Sequence, residues 1–149
     1  MSQNKVLPPT VLFGAIITEL AFHYLLPLVK IFVFPYNILG LLPLVLGSVI
    51  NVVADNQFKK AKTTVKPFQE STALITTGAF GISRNPMYLG FVLILLGLNI
   101  LLGSVTPIIA VILYAIAIQR LYISVEESML AEKFGSDWLN YKSRVRPWI

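Results

Sequence analysis

Two adjacent carboxylates, Glu126 and Glu127, follow a long uncharged stretch of the chain. Adjacent residues of a helix point about 100° apart, so only one of them can face a given pocket while the other faces solvent or a basic partner. Tyr122 shares the face of Glu126, four residues earlier. The alternative is a solvated helix end with ion pairs to Arg120 or Lys133. The pair therefore predicts either one ligand-binding carboxylate or an ordinary helix exit.

A second pair of ionisable side chains, Glu19 and His23, lies inside an apolar stretch. Four residues apart, they share one face of a helix, and ionisable groups at membrane depth are functional candidates by default. A hydrogen bond between them would limit the cost of burial. We interpret the pair as a proton relay, as a group that polarises a substrate, or as a satisfied contact between helices.

The composition determines the class of protein that must position these groups. Of 149 residues, 56% are apolar and 13% are charged, against about 45–50% and 25% in soluble proteins. We therefore expect a membrane protein that acts within the lipid bilayer. The chain has no cysteine and one histidine, which excludes a disulfide scaffold, a thiolate zinc site and a multi-histidine metal site. We accordingly expect no metal.

Four apolar stretches, the first interrupted by Glu19 and His23, predict four transmembrane helices at about residues 6–29, 37–54, 87–102 and 105–125. The stretch from Asn85 to Gln119 would measure about 52 Å as one helix, against a hydrocarbon core of about 30 Å. Gly103 and Pro107 supply the break that turns it into a hairpin. The predicted fold class is an all-α integral membrane protein with four transmembrane helices. A structured cytoplasmic loop lies between the second and third, and a cytoplasmic C-terminal amphipathic segment follows the fourth.

The cations indicate the orientation of these helices. All lysines and arginines except Lys30 fall on one side of the arrangement, for a net charge of +5. The positive-inside rule places both termini and the central loop in the cytoplasm and the two hairpin turns outside. Because the cations lie between apolar segments, they indicate topology, and we expect no nucleic acid as a partner.

Two cytoplasmic segments carry the remaining polar residues. The central loop, about residues 63–86, contains a short extended stretch, Leu74–Gly78, that ends in a turn. Asn85-Pro86 then starts the third helix, whose free N–H groups suit an anionic or polar ligand unless this is only a well-formed helix start. Basic and aromatic residues alternate over 133–148, and contact with lipid headgroups explains this pattern.

Taken together, four stretches resemble the isoprenylcysteine carboxyl methyltransferase family, which is related to the phospholipid N-methyltransferases. They are Leu74–Phe80, Arg84–Gly90, Glu126–Leu130, and Phe134-Gly135 through Tyr141 and Val145. The resemblance covers roughly the C-terminal 90 residues, from Thr63 onward. The order and spacing of Arg-Asn-Pro-x-Tyr and Glu-Glu make it fairly specific. The Asn in this motif is similar to that of prokaryotic members, which implies the plasma (inner) membrane of a prokaryote.

The resemblance implies an enzyme that transfers a methyl group from S-adenosylmethionine to a lipophilic acceptor at the cytoplasmic membrane face. It implies one methyltransferase domain over residues 1–149, with the cofactor half at about 63–149. Aromatic faces can hold a sulfonium cation, and the carboxylate of Glu126 can bind the ammonium group of the cofactor. The implied cofactor contacts are Leu74, Ile75, Phe80, Asn85, Pro86, Met87, Tyr88 and Glu126.

Two positions depart from the family pattern and keep the acceptor open. Asn85 replaces a histidine, and Tyr122 stands where eukaryotic members have an arginine associated with the substrate carboxylate. Tyr122, Arg120, Glu19 and His23 are therefore the candidate catalytic residues. A prenylcysteine-like carboxylate, a lipid amine and a thiol are all compatible acceptors. The alternative functions are a membrane sterol-type NADPH reductase and a non-catalytic four-helix scaffold; the sequence does not decide the oligomeric state.

Overall fold

The computed structural model describes residues 6–26, 28–63 and 71–149, and the regular structure in these ranges is helical. A 3-10 turn precedes the second helix and another lies in the central loop, while a π-helical turn joins the last two helices. The helices are α1 (Pro8–Leu25), α2 (Leu41–Lys60), α3 (Pro86–Leu102), α4 (Ile108–Ile118) and α5 (Ser124–Arg144). The 3-10 turns are Tyr36–Gly40 and Gly78–Gly81, and the π-helical turn is Gln119–Ile123. The predicted all-α class is confirmed.

Helix α3 packs closely against α2 through glycines. A Cβ atom at Gly47 would overlap the carbonyl oxygen of Gly90, so both helices approach at backbone distance. The other neighbours of α3 are α1 and α4. Their shared core contains Leu12, Leu95 and Ile118, which are at most 9% exposed. Helix α3 thus lies at the centre, with α2 on one side and the α1–α4 pair on the other.

The two hairpin turns contact each other at one end of the molecule. Gly103 ends α3 with a φ of +79°, a conformation that favours glycine. Its carbonyl oxygen accepts hydrogen bonds from the N–H groups of Ile31 (2.9 Å) and Phe32 (3.2 Å). The break predicted near Gly103 and Pro107 is therefore confirmed, and both turns lie on the same side.

The predicted span boundaries differ from the helix ends. Helix α2 continues past Asp55 to Lys60, because Asp55 and Lys59 form an ion pair along the exposed helix surface. Helix α1 ends at Leu25 and α4 begins at Ile108. Two described helical stretches, Tyr36–Lys60 and Ile108–Arg144, are long and apolar enough to cross a membrane, and α3 is a shorter apolar helix. The four crossings remain a prediction.

The C-terminal aromatic residues contradict the sequence interpretation. Trp138 and Tyr141 are each 2% exposed and pack against Ala54 and Phe80. The hydroxyl of Tyr141 donates a hydrogen bond to the carbonyl oxygen of Phe80 at 2.7 Å. Contact with headgroups was thus the wrong explanation for these two rings, because they fill the space between α2 and the central loop. Of that predicted loop, residues 64–70 lie outside the described ranges.

Candidate functional site

A cavity of about 570 Å³ lies at the end of the molecule opposite the hairpin turns. The start of α1, the end of α2, the central loop, the start of α3 and α5 surround it. All eight residues implied as cofactor contacts line this cavity, together with Arg84, Phe91, Glu127 and Trp138. Positions more than 50 residues apart in the chain therefore meet at one site, since Leu74 and Glu126 both belong to its wall.

Glu126 is the carboxylate that links α5 to α3 at this cavity. Its Oε1 accepts a hydrogen bond from the hydroxyl of Tyr88 at 2.7 Å. Its other oxygen, Oε2, has no hydrogen-bond partner among the described residues. Burial raises the pKa of the Glu126 carboxyl from 4.5 to about 7, and the hydrogen bond from Tyr88 opposes this rise. One carboxylate oxygen is thus available to a cationic ligand.

Glu127 is held by cations instead. Its carboxylate forms ion pairs with Arg84 at 2.7 Å and with Lys142 at 3.3 Å. The alternative of a solvated helix exit named Arg120 or Lys133 as partners, whereas the structure pairs Glu127 with Arg84, from the loop before α3, and with Lys142. The two adjacent carboxylates therefore diverge, as the geometry of a helix requires.

Arg84 fixes the start of α3 to the C-terminal segment. Its Nη1 donates to the carbonyl oxygens of Lys142 and Val145, both at 3.1 Å. The guanidinium lies 5.7 Å from the ring centroid of Trp138, and its side chain is only 6% exposed. The sequence reasoning included Arg84 only as part of a motif and missed this role. Its position directly before Asn85-Pro86 was the available signal.

The loop that carries Leu74 and Phe80 is anchored on α2 by Gln57. The side-chain Nε2 of Gln57 donates to the carbonyl oxygen of Thr77 at 2.8 Å, and its Oε1 accepts from the N–H of Ala79 at 3.1 Å. Phe58 contacts Phe80 edge to face, with 5.2 Å between centroids. These contacts hold the loop in place without a strand ladder.

Asn85, which replaces the family histidine, has a structural partner. Its Nδ2 donates to the carbonyl oxygen of Pro147 at 2.9 Å, and its own carbonyl oxygen accepts the first hydrogen bond of α3, from Leu89. The amide therefore ties the motif to the C-terminal segment. Neither hydrogen bond requires a charged side chain, so the neutral amide of Asn85 can form these contacts.

Tyr122 and Arg120, two of the candidate catalytic residues, are not among the residues that line the cavity. Tyr122 is 4% exposed, and its hydroxyl donates to the carbonyl oxygen of Val6 at 2.6 Å. Its ring centroid lies 6.3 Å from that of Tyr88, so it supports a cavity residue from behind. Arg120 is exposed and lines a separate cleft.

Glu19 and His23 also lie away from the cavity-lining residues. Nδ1 of His23 forms a hydrogen bond with Oγ of Ser104 at 2.6 Å, near the hairpin turns. Glu19 is fully buried, and neither of its carboxyl oxygens has a hydrogen-bond partner in the described chain. The hydrogen bond that would limit the cost of burying this pair is not formed, because His23 bonds to the second hairpin turn instead.

A family model and one relative among the known proteins are methyltransferases. A family model described as phospholipid methyltransferase matches residues 35–137. The yeast (Saccharomyces cerevisiae) Protein-S-isoprenylcysteine O-methyltransferase is 29% identical over 143 residues, which cover 88% of this chain and 58% of the yeast enzyme. A Haemophilus influenzae protein described as uncharacterized is 38% identical over 63 residues, 42% of this chain and 100% of that protein. No solved structure gives a significant match.

Proposed function

The chain belongs to the phospholipid methyltransferase family, and on that premise we propose that it is an S-adenosylmethionine-dependent methyltransferase with a lipophilic acceptor. One observation carries the proposal: the eight residues that the family resemblance implies as cofactor contacts all line one cavity. We propose that residues 1–149 form one methyltransferase domain with the cofactor site in about 63–149. We also propose four membrane crossings and cytoplasmic termini, in the inner membrane of a prokaryote.

The residues of the cavity fit S-adenosylmethionine. Its volume of about 570 Å³ lies within the range of about 300–1,000 Å³ typical of small-molecule sites. Glu126 presents its unpartnered Oε2, which suits the ammonium group of an amino acid. The rings of Phe80 and Tyr88 line the same wall and suit a sulfonium cation. Both charge and shape thus favour this cofactor class.

The protein contributes mainly by positioning and by excluding water. S-adenosylmethionine, when bound, would supply an electrophilic methyl group that is transferred to the lone pair of an acceptor, with S-adenosylhomocysteine as the leaving group. The chain holds the cofactor-side residues in place through the hydrogen bond between Tyr88 and Glu126 and the ion pair between Arg84 and Glu127. The buried ring of Trp138 forms part of the cavity wall and keeps water out. Such a reaction requires neither a nucleophilic cysteine nor a catalytic triad.

We propose that the acceptor reaches the cavity from the bilayer. Leu7, Pro8 and Pro9 at the start of α1 and Phe91 on α3 give the cavity an apolar side, which suits the chain of a lipid. The candidate classes remain a prenylcysteine-like carboxylate, as the name of the yeast relative suggests, a lipid amine, as the family description suggests, and a thiol. Two residues that could bind a carboxylate acceptor are placed elsewhere: Arg120 is not among the residues that line the cavity, and Tyr122 already donates its hydroxyl to the carbonyl oxygen of Val6.

A transfer assay tests this function. Membranes that contain the protein are incubated with S-adenosylmethionine labelled in the methyl group and with one acceptor of each class. We expect label in the organic phase for at least one acceptor, and much less label with the variant Glu126→Gln at the same concentration of S-adenosylmethionine. Base treatment releases methanol from a methyl ester but not from a methylated amine or thioether, which identifies the class. Absence of transfer from folded protein that also fails to bind S-adenosylmethionine would overturn the proposal.

A further inference from the structure

A second cleft, of about 340 Å³, lies where α4 meets the π-helical turn. Its walls share no residue with the cofactor cavity. A segment of α4, a segment of the π-helical turn and the C-terminal tryptophan form it: Ala115, Ile116, Gln119, Arg120 and Trp148. The proposed methyl transfer does not use this cleft.

One end of the cleft offers hydrogen-bond donors. Arg120 is exposed and makes no hydrogen bond or ion pair with the described residues. The indole Nε1 of Trp148 donates to Oε1 of Gln119 at 2.9 Å, which fixes the amide and leaves its nitrogen as a second donor at the cleft. A guanidinium beside an amide N–H is suited to a phosphate group, because both supply donors to its oxygens.

The other end of the cleft continues as an apolar stripe along α4. Ile109, Ile112 and Ile116 are 48%, 53% and 48% exposed. Their spacing of three and four residues puts them on one face of the helix, and Arg120 continues the same spacing at the end of the stripe. If α4 crosses the bilayer, this face contacts acyl chains, and the long side chain of Arg120, near the end of the predicted span, extends to the headgroups.

We propose that this cleft binds one phospholipid with an anionic headgroup. Its phosphate contacts Arg120 and Gln119, one acyl chain lies along the isoleucine stripe, and Trp148 packs at the interface, where tryptophan is enriched. The site lies at the end of the molecule where the other cations collect, which the positive-inside rule assigns to the cytoplasm, and anionic lipids of that leaflet attract such cations. The argument does not depend on methyl transfer.

Lipid retention by the detergent-purified full chain tests the site. Phosphatidylglycerol and phosphatidylcholine with identical acyl chains are each added, and bound lipid is counted by native mass spectrometry. We expect one phosphatidylglycerol to be retained in preference to phosphatidylcholine. Loss of one juxtamembrane cation typically weakens such binding about fivefold, and we expect at least this effect from Arg120→Gln.

Arg144→Gln is the matched control, because Arg144 is also exposed and lies at the same end but outside the cleft. A specific site predicts that this variant retains the lipid like the unmodified protein. Equal losses in both variants would instead indicate general surface attraction and overturn the site, as would equal retention of the two lipids. Glycerol 3-phosphate, which has the phosphate without acyl chains, should not displace the lipid; displacement would show a simple phosphate site and also refute the proposal.

Discussion

Replacing each of the two adjacent glutamates separates ligand binding from scaffold. In Glu126→Gln the carboxylate that faces the cavity becomes a neutral amide that can still accept the hydrogen bond from Tyr88. A hydrogen bond to a charged group contributes about 1.5–3 kcal/mol. We therefore expect the Kd for S-adenosylmethionine to rise by roughly 10- to 150-fold. The melting temperature should change little, because burial already disfavours the charge of this group.

Glu127→Gln should reduce the stability of the fold more than Glu126→Gln does, and the affinity for S-adenosylmethionine less. This substitution removes the ion pairs to Arg84 and Lys142 and leaves the guanidinium of Arg84, whose side chain is 6% exposed, without its counter-charge. Removing one partner of a buried pair costs up to about 3–5 kcal/mol; the neutral amide can still accept a hydrogen bond, so we expect about 1–3 kcal/mol. Its effect on the Kd should be smaller than that of Glu126→Gln.

The assay is a titration of both variants with S-adenosylmethionine in the same detergent, beside thermal unfolding of each without ligand. Comparing the two read-outs guards against a destabilised protein that binds weakly for that reason alone. Equal losses of affinity in the two variants, or a larger loss in Glu127→Gln with an intact fold, would refute the assignment of Glu126 as the ligand-facing carboxylate.

Five further outcomes follow from the structure. Burial raises the pKa of Glu126 to about 7, and only its carboxylate form attracts an ammonium group. The affinity for S-adenosylmethionine should therefore rise about tenfold per pH unit up to about pH 7 and then level off. Titrations at several pH values would show this profile. Between about pH 4.5 and 7 the folded state keeps the proton on Glu126 while the unfolded state releases it. The ligand-free protein should therefore lose stability as the pH rises through this range, which thermal unfolding would detect. Tyr88→Phe removes the hydrogen bond that lowers this pKa, so the levelling point should move to higher pH. Gly135→Ala should lower the free energy of unfolding by about 1–3 kcal/mol because φ is +48° there. Gly47→Ala should lower it by about 1–3 kcal/mol because a Cβ atom at this position would overlap Gly90. Denaturant titration measures both changes, and an unchanged stability in either variant would contradict the requirement for glycine at that position.

The elements that the sequence predicted well are those with local causes. Uncharged stretches of sufficient length predict helices, and Gly103 with Pro107 predicts the break between α3 and α4. The motif Arg84–Tyr88 and the pair Glu126-Glu127 indicated which parts of the chain would meet. The structure brings the two motifs together through the hydrogen bond between Tyr88 and Glu126 and the ion pair between Arg84 and Glu127.

The features that the sequence did not predict depend on contacts between distant residues. No local rule pairs Glu127 with Arg84, which lies 43 positions earlier. The aromatic residue Trp138 in a basic segment is typical of a membrane interface, yet here the ring is buried beside the guanidinium of Arg84. The spacing of Glu19 and His23 predicted that they share a helix face, but it did not indicate that His23 would hydrogen-bond to Ser104 of the second hairpin turn. Each error came from a partner supplied by the tertiary fold.

Direct titration of the detergent-solubilised protein with S-adenosylmethionine and S-adenosylhomocysteine, with NADPH in a parallel run, tests the central proposal most directly. We predict saturable binding of the first two at one site per chain, and weaker binding of both in Glu126→Gln. Binding of NADPH alone would favour a reductase. Binding of none of the three by demonstrably folded protein would contradict a cofactor site in this cavity and leave the motif residues with a role in packing only.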